Sequence, residues 1–225
     1  MSYDAIIAQL KSLADPRNVE GMSRFGIAST NTLGISLPAL REIAKAHKRD
    51  HALALKLWDS QIHEARILAT IIDDPKQVTP EQMEAWAADF DSWDVVDQAC
   101  GNLFEKTPYA DQKIREWHSR DAEFVRRAAY SLIATVAVHH KKATNNQMEA
   151  YYPLIKGAAT DERNFVKKAV NWALRQIGKR NRALNVSALA LAYDIAALDS
   201  KSARWIAADA IKELTAEKTL ARLKD

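Results

Sequence analysis

Asp121-Ala122-Glu123-Phe124-Val125-Arg126-Arg127-Ala128-Ala129 is answered forty-one residues later, Phe124 to Phe165, by Asp161-Glu162-Arg163-Asn164-Phe165-Val166-Lys167-Lys168-Ala169-Val170. The second copy carries one extra residue between its Asp and its Phe. A fainter copy, Ser202-Ala203-Arg204-Trp205-Ile206-Ala207-Ala208, follows 38 residues on when Ala207 is set against Ala169. Upstream, the segment beginning at Trp93 sits one shorter period before Phe124. Self-similarity at about 40 residues, in text with helical apolar spacing, is the mark of stacked helix pairs. In such a stack each pair buries its apolar face on its neighbours, and one helix of every pair lines a common surface. The expected fold is therefore all-α, a HEAT-like solenoid, C-shaped with a concave basic groove, in a single domain spanning residues 1–225.

The rest of the chain agrees with a helical reading. Apolar residues recur at helical spacing in Tyr3 to Leu13, His51 to Trp58 and His63 to Ile72, and a short piece runs from Val19 to Phe25. Thr79-Pro80 reads as a cap followed by Pro at the first helical position. Ser36, and Asp91 or Ser92, are further candidate caps. Helices are expected over Asp111 to His118, Phe124 to Val138, Asn145 to Lys156, Asn164 to Lys179, Val186 to Leu198 and Ser202 to Lys218. Gly26 to Leu37, rich in Ser, Thr, Gly and Asn, reads as a loop. No alternating strand pattern of useful length occurs.

Composition narrows the function classes. The chain has 225 residues, 48% hydrophobic and 27% charged, an ordinary globular balance. Cys100 is the only cysteine, which removes disulfide frameworks and thiolate metal sites and suits a reducing cytosol. No apolar run reaches the roughly 20 residues of a membrane span, and the start lacks the features of a signal peptide. A soluble, cytoplasmic protein with no membrane partner is expected. The six His form no ligand spacing, so no metal and no cofactor is expected. Charge is uneven: residues 1–110 hold 11 Lys+Arg and 16 Asp+Glu, a net −5, while residues 111–225 hold 21 and 13, a net +8. Such asymmetry raises the odds of an anionic partner without naming it.

Trp93 and Asp97 lie four residues apart and so share a helix face, with Val95, Val96, Ala99 and Leu103 available for the buried side. Either the indole packs between helices beside a solvated carboxylate, or it offers its face to a cationic or π-rich ligand while the carboxylate stabilises charge. Arg126-Arg127 and Lys167-Lys168 are basic duplets at one place in two repeats, as expected of a stripe that tracks phosphates. Lys168, Trp172 and Arg175 share a face, which suits a half-buried packing role or a nucleobase or sugar. The Lys179-Arg180-Asn181-Arg182 run reads as the cationic end of a helix, with a phosphate contact as the other reading. If the echoed helices are equivalent, Trp93, Asp97, Arg127, Lys168, Trp172 and Arg175 should converge.

Three segments resemble the AlkD-like DNA alkylation-repair glycosylases, a family of HEAT-like repeats: Trp93-Asp94-Val95-Val96-Asp97, Phe124 to Ala129, and Asn164 to Arg175. Order and spacing fit from about residue 20 to residue 215. The resemblance implies that Asp97 is the catalytic aspartate, that Trp93 and Trp172 flank the lesion, and that Arg127 stands beside the aspartate. It also implies that Arg175 helps hold the DNA backbone, with Lys168, Lys167, Arg126, Lys179, Arg24 and Phe25 as further DNA contacts. Two positions depart from the family pattern: Ser92 stands where a second tryptophan is common, and Phe25 where a tyrosine lies near the lesion. The implied activity is a metal-free, monofunctional hydrolysis of the N-glycosidic bond of cationic N3- or N7-alkylated purines in duplex DNA, by a monomer at lesions in the bacterial nucleoid. A non-catalytic protein that binds unusual DNA structures and a protein-interaction scaffold are the alternatives.

Overall fold

The computed structural model describes residues 2–27 and 30–224. Among them there are helices and turns but no strand, as the periodicity predicts. The chain forms two compact units, Met1–Ala110 and Asp111–Asp225. The division falls between a part of net charge −5, residues 1–110, and a part of net charge +8, residues 111–225.

The first unit holds α1 (Tyr3–Ser12), α2 (Pro16–Ser23), α3 (Leu37–Ala44), α4 (His51–Asp59), α5 (His63–Ile72), α6 (Pro80–Ala88) and α7 (Trp93–Asn102), followed by a 3-10 turn at Phe104–Lys106. Helices α3, α5 and α7 pack in sequence as one row, and α4 lies against α5. Local chemistry sets the starts. Side-chain oxygens of Ser2, Asp15, Asp50 and Thr79 accept backbone N–H groups of the first turn of α1, α2, α4 and α6. Ser36 precedes α3 as expected but makes no side-chain cap bond. The core includes Ile6, Leu10, Leu40, Leu57, Leu68, Met83 and Phe104, all fully enclosed. Trp58 and Trp86 stack face to face at 4.0 Å, and the Arg66 guanidinium lies 5.2 Å from the Trp58 ring.

The second unit holds α8 (Ala110–Trp117), α9 (Glu123–His139), α10 (Asn145–Glu149), α11 (Tyr152–Ala158), α12 (Asn164–Gly178), α13 (Arg182–Ala196), α14 (Lys201–Leu214) and α15 (Glu217–Leu220). Helices α9, α12 and α14 form its row, with α13 packed on α12 and α14. Three sequence expectations need correction. The segment Ser202 to Lys218 is divided between α14 and α15, which part at Thr215-Ala216. The segment Asn145 to Lys156 is two helices, because Pro153 has no N–H to donate and its ring would collide with the carbonyl four residues back. The thirteenth helix begins at Arg182 rather than Val186, because the Asn181 side chain accepts the Leu184 N–H at 2.8 Å. Asn181 is thus the cap of a new helix beside the basic end of the previous one.

The periodicity in the sequence is carried physically by contacts one repeat apart. In the first unit His63 reaches Asp94 and Asn102 reaches Thr70, intervals of 31 and 32. In the second, Asn171 reaches Asp209 and Arg175 reaches Glu213, each across 38 residues, the register given by setting Ala169 against Ala207. The rings of Phe124 and Phe165 meet at 5.4 Å. Carboxylates recur at the helix starts: Glu123 accepts the Phe165 N–H at 3.2 Å, and Glu162 accepts the Ser202 N–H at 3.4 Å. Glu123 thus caps an amide that α12, whose own cap position is Arg163, does not satisfy locally, and Glu162 adds to the Ser200 cap of α14.

The strongest such clamp is Glu64, which sequence reading passed over. It is fully buried, and its carboxylate accepts the N–H groups of Leu33 at 2.8 Å, Gly34 at 2.6 Å and Ile35 at 3.2 Å. Three donors satisfy a charge that would otherwise be expensive to bury. The close approach needs a glycine: Gly34 has φ +80°, and a Cβ there would meet the Asp15 carbonyl oxygen at 2.3 Å. Gly34→Ala should therefore destabilise the protein by about 2 kcal/mol or more, read as a lower urea midpoint. An unchanged midpoint would contradict this account of the loop.

Candidate nucleic-acid interface

Helix α7 is amphipathic. Val95, Val96, Ala99 and Cys100 are enclosed, while Trp93 and Asp97 are half-buried one turn apart on the other side. The Trp93 Nε1–H donates to the Phe25 carbonyl at 3.1 Å, so the indole edge is fixed and its ring holds one orientation. Phe25 itself is 74% exposed, and Arg24, next to it, is exposed and paired with Glu20. Ser92 does not cap the helix through its side chain. It is buried and donates its hydroxyl to Asp94.

Asp94 has a second partner, the His63 Nε2 at 2.8 Å. Burial disfavours the charged imidazole of His63, but the Asp94 carboxylate outweighs it, and the pKa is raised above the ordinary 6.5. Burial likewise works against the Asp94 carboxylate, but His63 and Ser92 hold its pKa below 3.8. Of the two carboxylates in Trp93-Asp94-Val95-Val96-Asp97, Asp94 is therefore a structural tie between α5 and α7. Asp97 is the one placed on the tryptophan face.

In the second unit the basic duplets divide their labour. Arg127 is buried and its guanidinium donates to the Phe165 carbonyl at 2.7 Å. Arg126 lies 3.3 Å from the Asp161 carboxylate. Lys167 sits with its ammonium 5.2 Å from the ring of Trp205, a half-exposed indole that sequence reading noted only as part of the faint third repeat. Lys168 is exposed, and Trp172, one turn on, is half-buried. Arg175 meets Glu213 and, at 3.2 Å, Asp209. Lys179 meets Glu213 at 2.6 Å. Burial alone would raise the Glu213 pKa, but Lys179 and Arg175 bring it below the ordinary carboxylate value. The expected stripe is thus partly internal wiring: Arg127, Arg126, Arg175 and Lys179 join neighbouring repeats, and Lys168 is the cation most open to an external anion. Among the described residues no three His, Cys, Asp or Glu gather as a metal site, and no helix is long and apolar enough to cross a membrane.

Helix rows tied by contacts one repeat apart define a HEAT-like repeat protein. A solved structure described as "A new family of proteins related to the HEAT-like repeat DNA glycosylases with affinity for branched DNA structures" has this fold, with a TM-score of 0.83 and 18% identity, over 100% of this chain and 97% of that one. The chain belongs to the DNA alkylation repair enzyme family, whose pattern matches residues 6–214. Two similar proteins are the uncharacterized Lmo0209 of Listeria monocytogenes and Lin0241 of Listeria innocua. The first is 21% identical over 136 residues, 59% of this chain and 61% of that protein. The second is 20% identical over 177 residues, 76% of each. The match thus spans about three-fifths of the length of the first relative and three-quarters of the second.

Two outcomes follow from this wiring. The His63–Asp94 pair contributes fully between the ordinary carboxylate value of 3.8 and the ordinary imidazole value of 6.5. It is lost as pH rises through the raised His63 value. Unfolding free energy should therefore fall from mildly acidic to mildly alkaline pH in the native chain and fall less in His63→Gln; parallel curves would refute the pair. Arg127→Gln should lower stability by about 1–3 kcal/mol, because it removes a charged donor from a buried carbonyl. An unaffected urea midpoint would show that Arg127 is no structural tie.

Proposed function

We propose that this protein is a monofunctional DNA glycosylase acting on cationic N3- or N7-alkylated purines such as 3-methyladenine and 7-methylguanine in duplex DNA. The observation that carries the reading is the α7 face. One indole, immobilised by the Phe25 carbonyl, stands one turn from a half-buried carboxylate, in a chain of the DNA alkylation repair enzyme family. Alkylation at N3 or N7 gives the base a positive charge, so its glycosidic bond breaks with little help from an acid. What the protein must supply is stabilisation of the sugar as it becomes oxocarbenium-like. The Asp97 carboxylate provides the negative charge and a place for the attacking water. Trp93 offers its π face to charge spread over base and sugar. Lys168 holds phosphates without reading sequence, and Arg24 does so by leaving Glu20. Arg175, Lys179, Arg126 and Lys167 reach DNA only by leaving their present partners, and Arg127 acts through the repeats it joins.

A second reading, non-catalytic binding of DNA structures, is favoured by the branched-DNA affinity described for the relative of known structure. Release of free base separates the two. The native protein should liberate 7-methylguanine or 3-methyladenine from methylated duplex, and Asp97→Asn should reduce that rate at least about 100-fold while duplex affinity is retained. Salt-dependent binding of a four-way junction without any base release by the native protein would replace the first reading by the second.

A further inference from the structure

Arg41, Lys45, Lys48, Arg49 and Lys106 converge on one depression of about 380 Å³ in the first unit, which also touches Ala44, Ile71, Asp73 and Pro75. This unit is acidic overall, with a net −5 over residues 1–110, so a cluster of five cations runs against its own charge balance. All five side chains belong to exposed residues. They come from three separate places: the end of α3, the connection to α4, and the 3-10 turn after α7.

Helix-end chemistry explains part of this. Cations are favoured at carbonyl ends, and Lys106 donates to the Asn102 carbonyl at the end of α7. It does not explain why three further cations, Lys45, Lys48 and Arg49, follow within one connection. Arg49 adopts a left-handed backbone, φ 61°, which an arginine rarely takes. Internal counter-charge is partial: the Asp74 carboxylate interacts with Arg49. Lys45 pairs with Glu42 at 2.6 Å. The Asp73 carboxylate, enclosed from solvent, is engaged by His51 at 2.7 Å and Gln82 at 2.8 Å. Among the described residues the depression is a concentration of positive charge open to solvent.

We propose that this depression is a phosphate-binding site for the sugar-phosphate backbone of DNA. It rests on the DNA-binding part of the reading above and adds a contact that lies away from Trp93 and Asp97. Helix α7 has ten residues, a rise of roughly 15 Å at 1.5 Å per residue, and Lys106 follows its far end in the 3-10 turn Phe104–Lys106. That distance is comparable to the major groove of about 12 Å that parts two backbones. The α7 face therefore meets one strand at the base to be released, while the depression holds phosphates of the other strand or of a second duplex arm.

The test is the salt dependence of duplex binding by fluorescence anisotropy, with a four-way junction alongside. Lys45→Gln/Lys48→Gln/Lys106→Gln is compared with the native protein and with Lys11→Gln/Lys56→Gln, two exposed lysines of the same unit outside the depression. Circular dichroism and the urea midpoint report folding. The triple variant should bind at least about tenfold more weakly at moderate salt and lose about 3 from the slope of log K against log salt, as expected for three phosphate contacts. The control should lose less than about 1. A folded triple variant with native affinity and slope overturns the site, even if base release is normal. Loss of slope in the triple variant together with no base release by the native protein keeps the site and overturns the glycosylase reading. Absence of any salt-dependent DNA binding by the native protein overturns both.

Discussion

Hydrogen bonds and ion pairs one repeat apart are the constraint on which the rest depends. Apolar packing alone would allow neighbouring helices to slide, since one Ala or Leu ridge fits another in several registers. A buried polar group has only one satisfactory partner, and leaving it without one is costly. Glu64 against the amides of Leu33, Gly34 and Ile35, His63 against Asp94, Arg127 against the Phe165 carbonyl, and Asn171 against Asp209 each fix one helix start or face to the next. Once those registers are set, the outward residues have defined positions. Trp93 and Asp97 occupy the open face of α7 because Asp94 is drawn to the other side.

This arrangement makes the site inexpensive in design terms. The Trp93 indole is oriented by the Phe25 carbonyl, and Asp97 is carried on the helix that His63 ties. The residues that tie α7 to its neighbours, Ser92 and Asp94, and the half-buried Trp93 and Asp97 are thus different residues of the same short motif.

Much of the fold was legible because helical text is local. Thr79-Pro80 marked a start through its own side chain, and the enclosed Val95, Val96 and Ala99 were recognisable from spacing. The echo of Phe124 in Phe165 carried the repeat, and its rings touch. The misses among the basic residues have one cause, which is that a side chain's partner lies a repeat away. Arg126-Arg127 and Lys167-Lys168 looked like two identical basic steps. Adjacent residues on a helix point about 100° apart, so Arg126, Arg127 and Lys167 each met a different neighbour while Lys168 stayed exposed. Arg175 and Lys179 looked available for phosphates until Glu213 appeared opposite. That pairing was present in the register of Ala169 against Ala207, which sets Arg175 against Glu213 and Asn171 against Asp209. Reading the aligned repeats for complementary charge, rather than for similarity, would have found it. Glu64 was invisible for another reason: its partners are backbone amides, which leave no trace in side-chain pattern.

The account's central claim is that the α7 tryptophan face, together with the loop bound to it, meets DNA. Amide hydrogen exchange of the native protein with and without a saturating methylated duplex addresses it directly. Slowed exchange on adding DNA in residues 22–27 and 93–98, with α4 and α6 unchanged, is the result this account predicts. Protection confined to α4 and α6, with residues 22–27 and 93–98 exchanging as in the free protein, would contradict it.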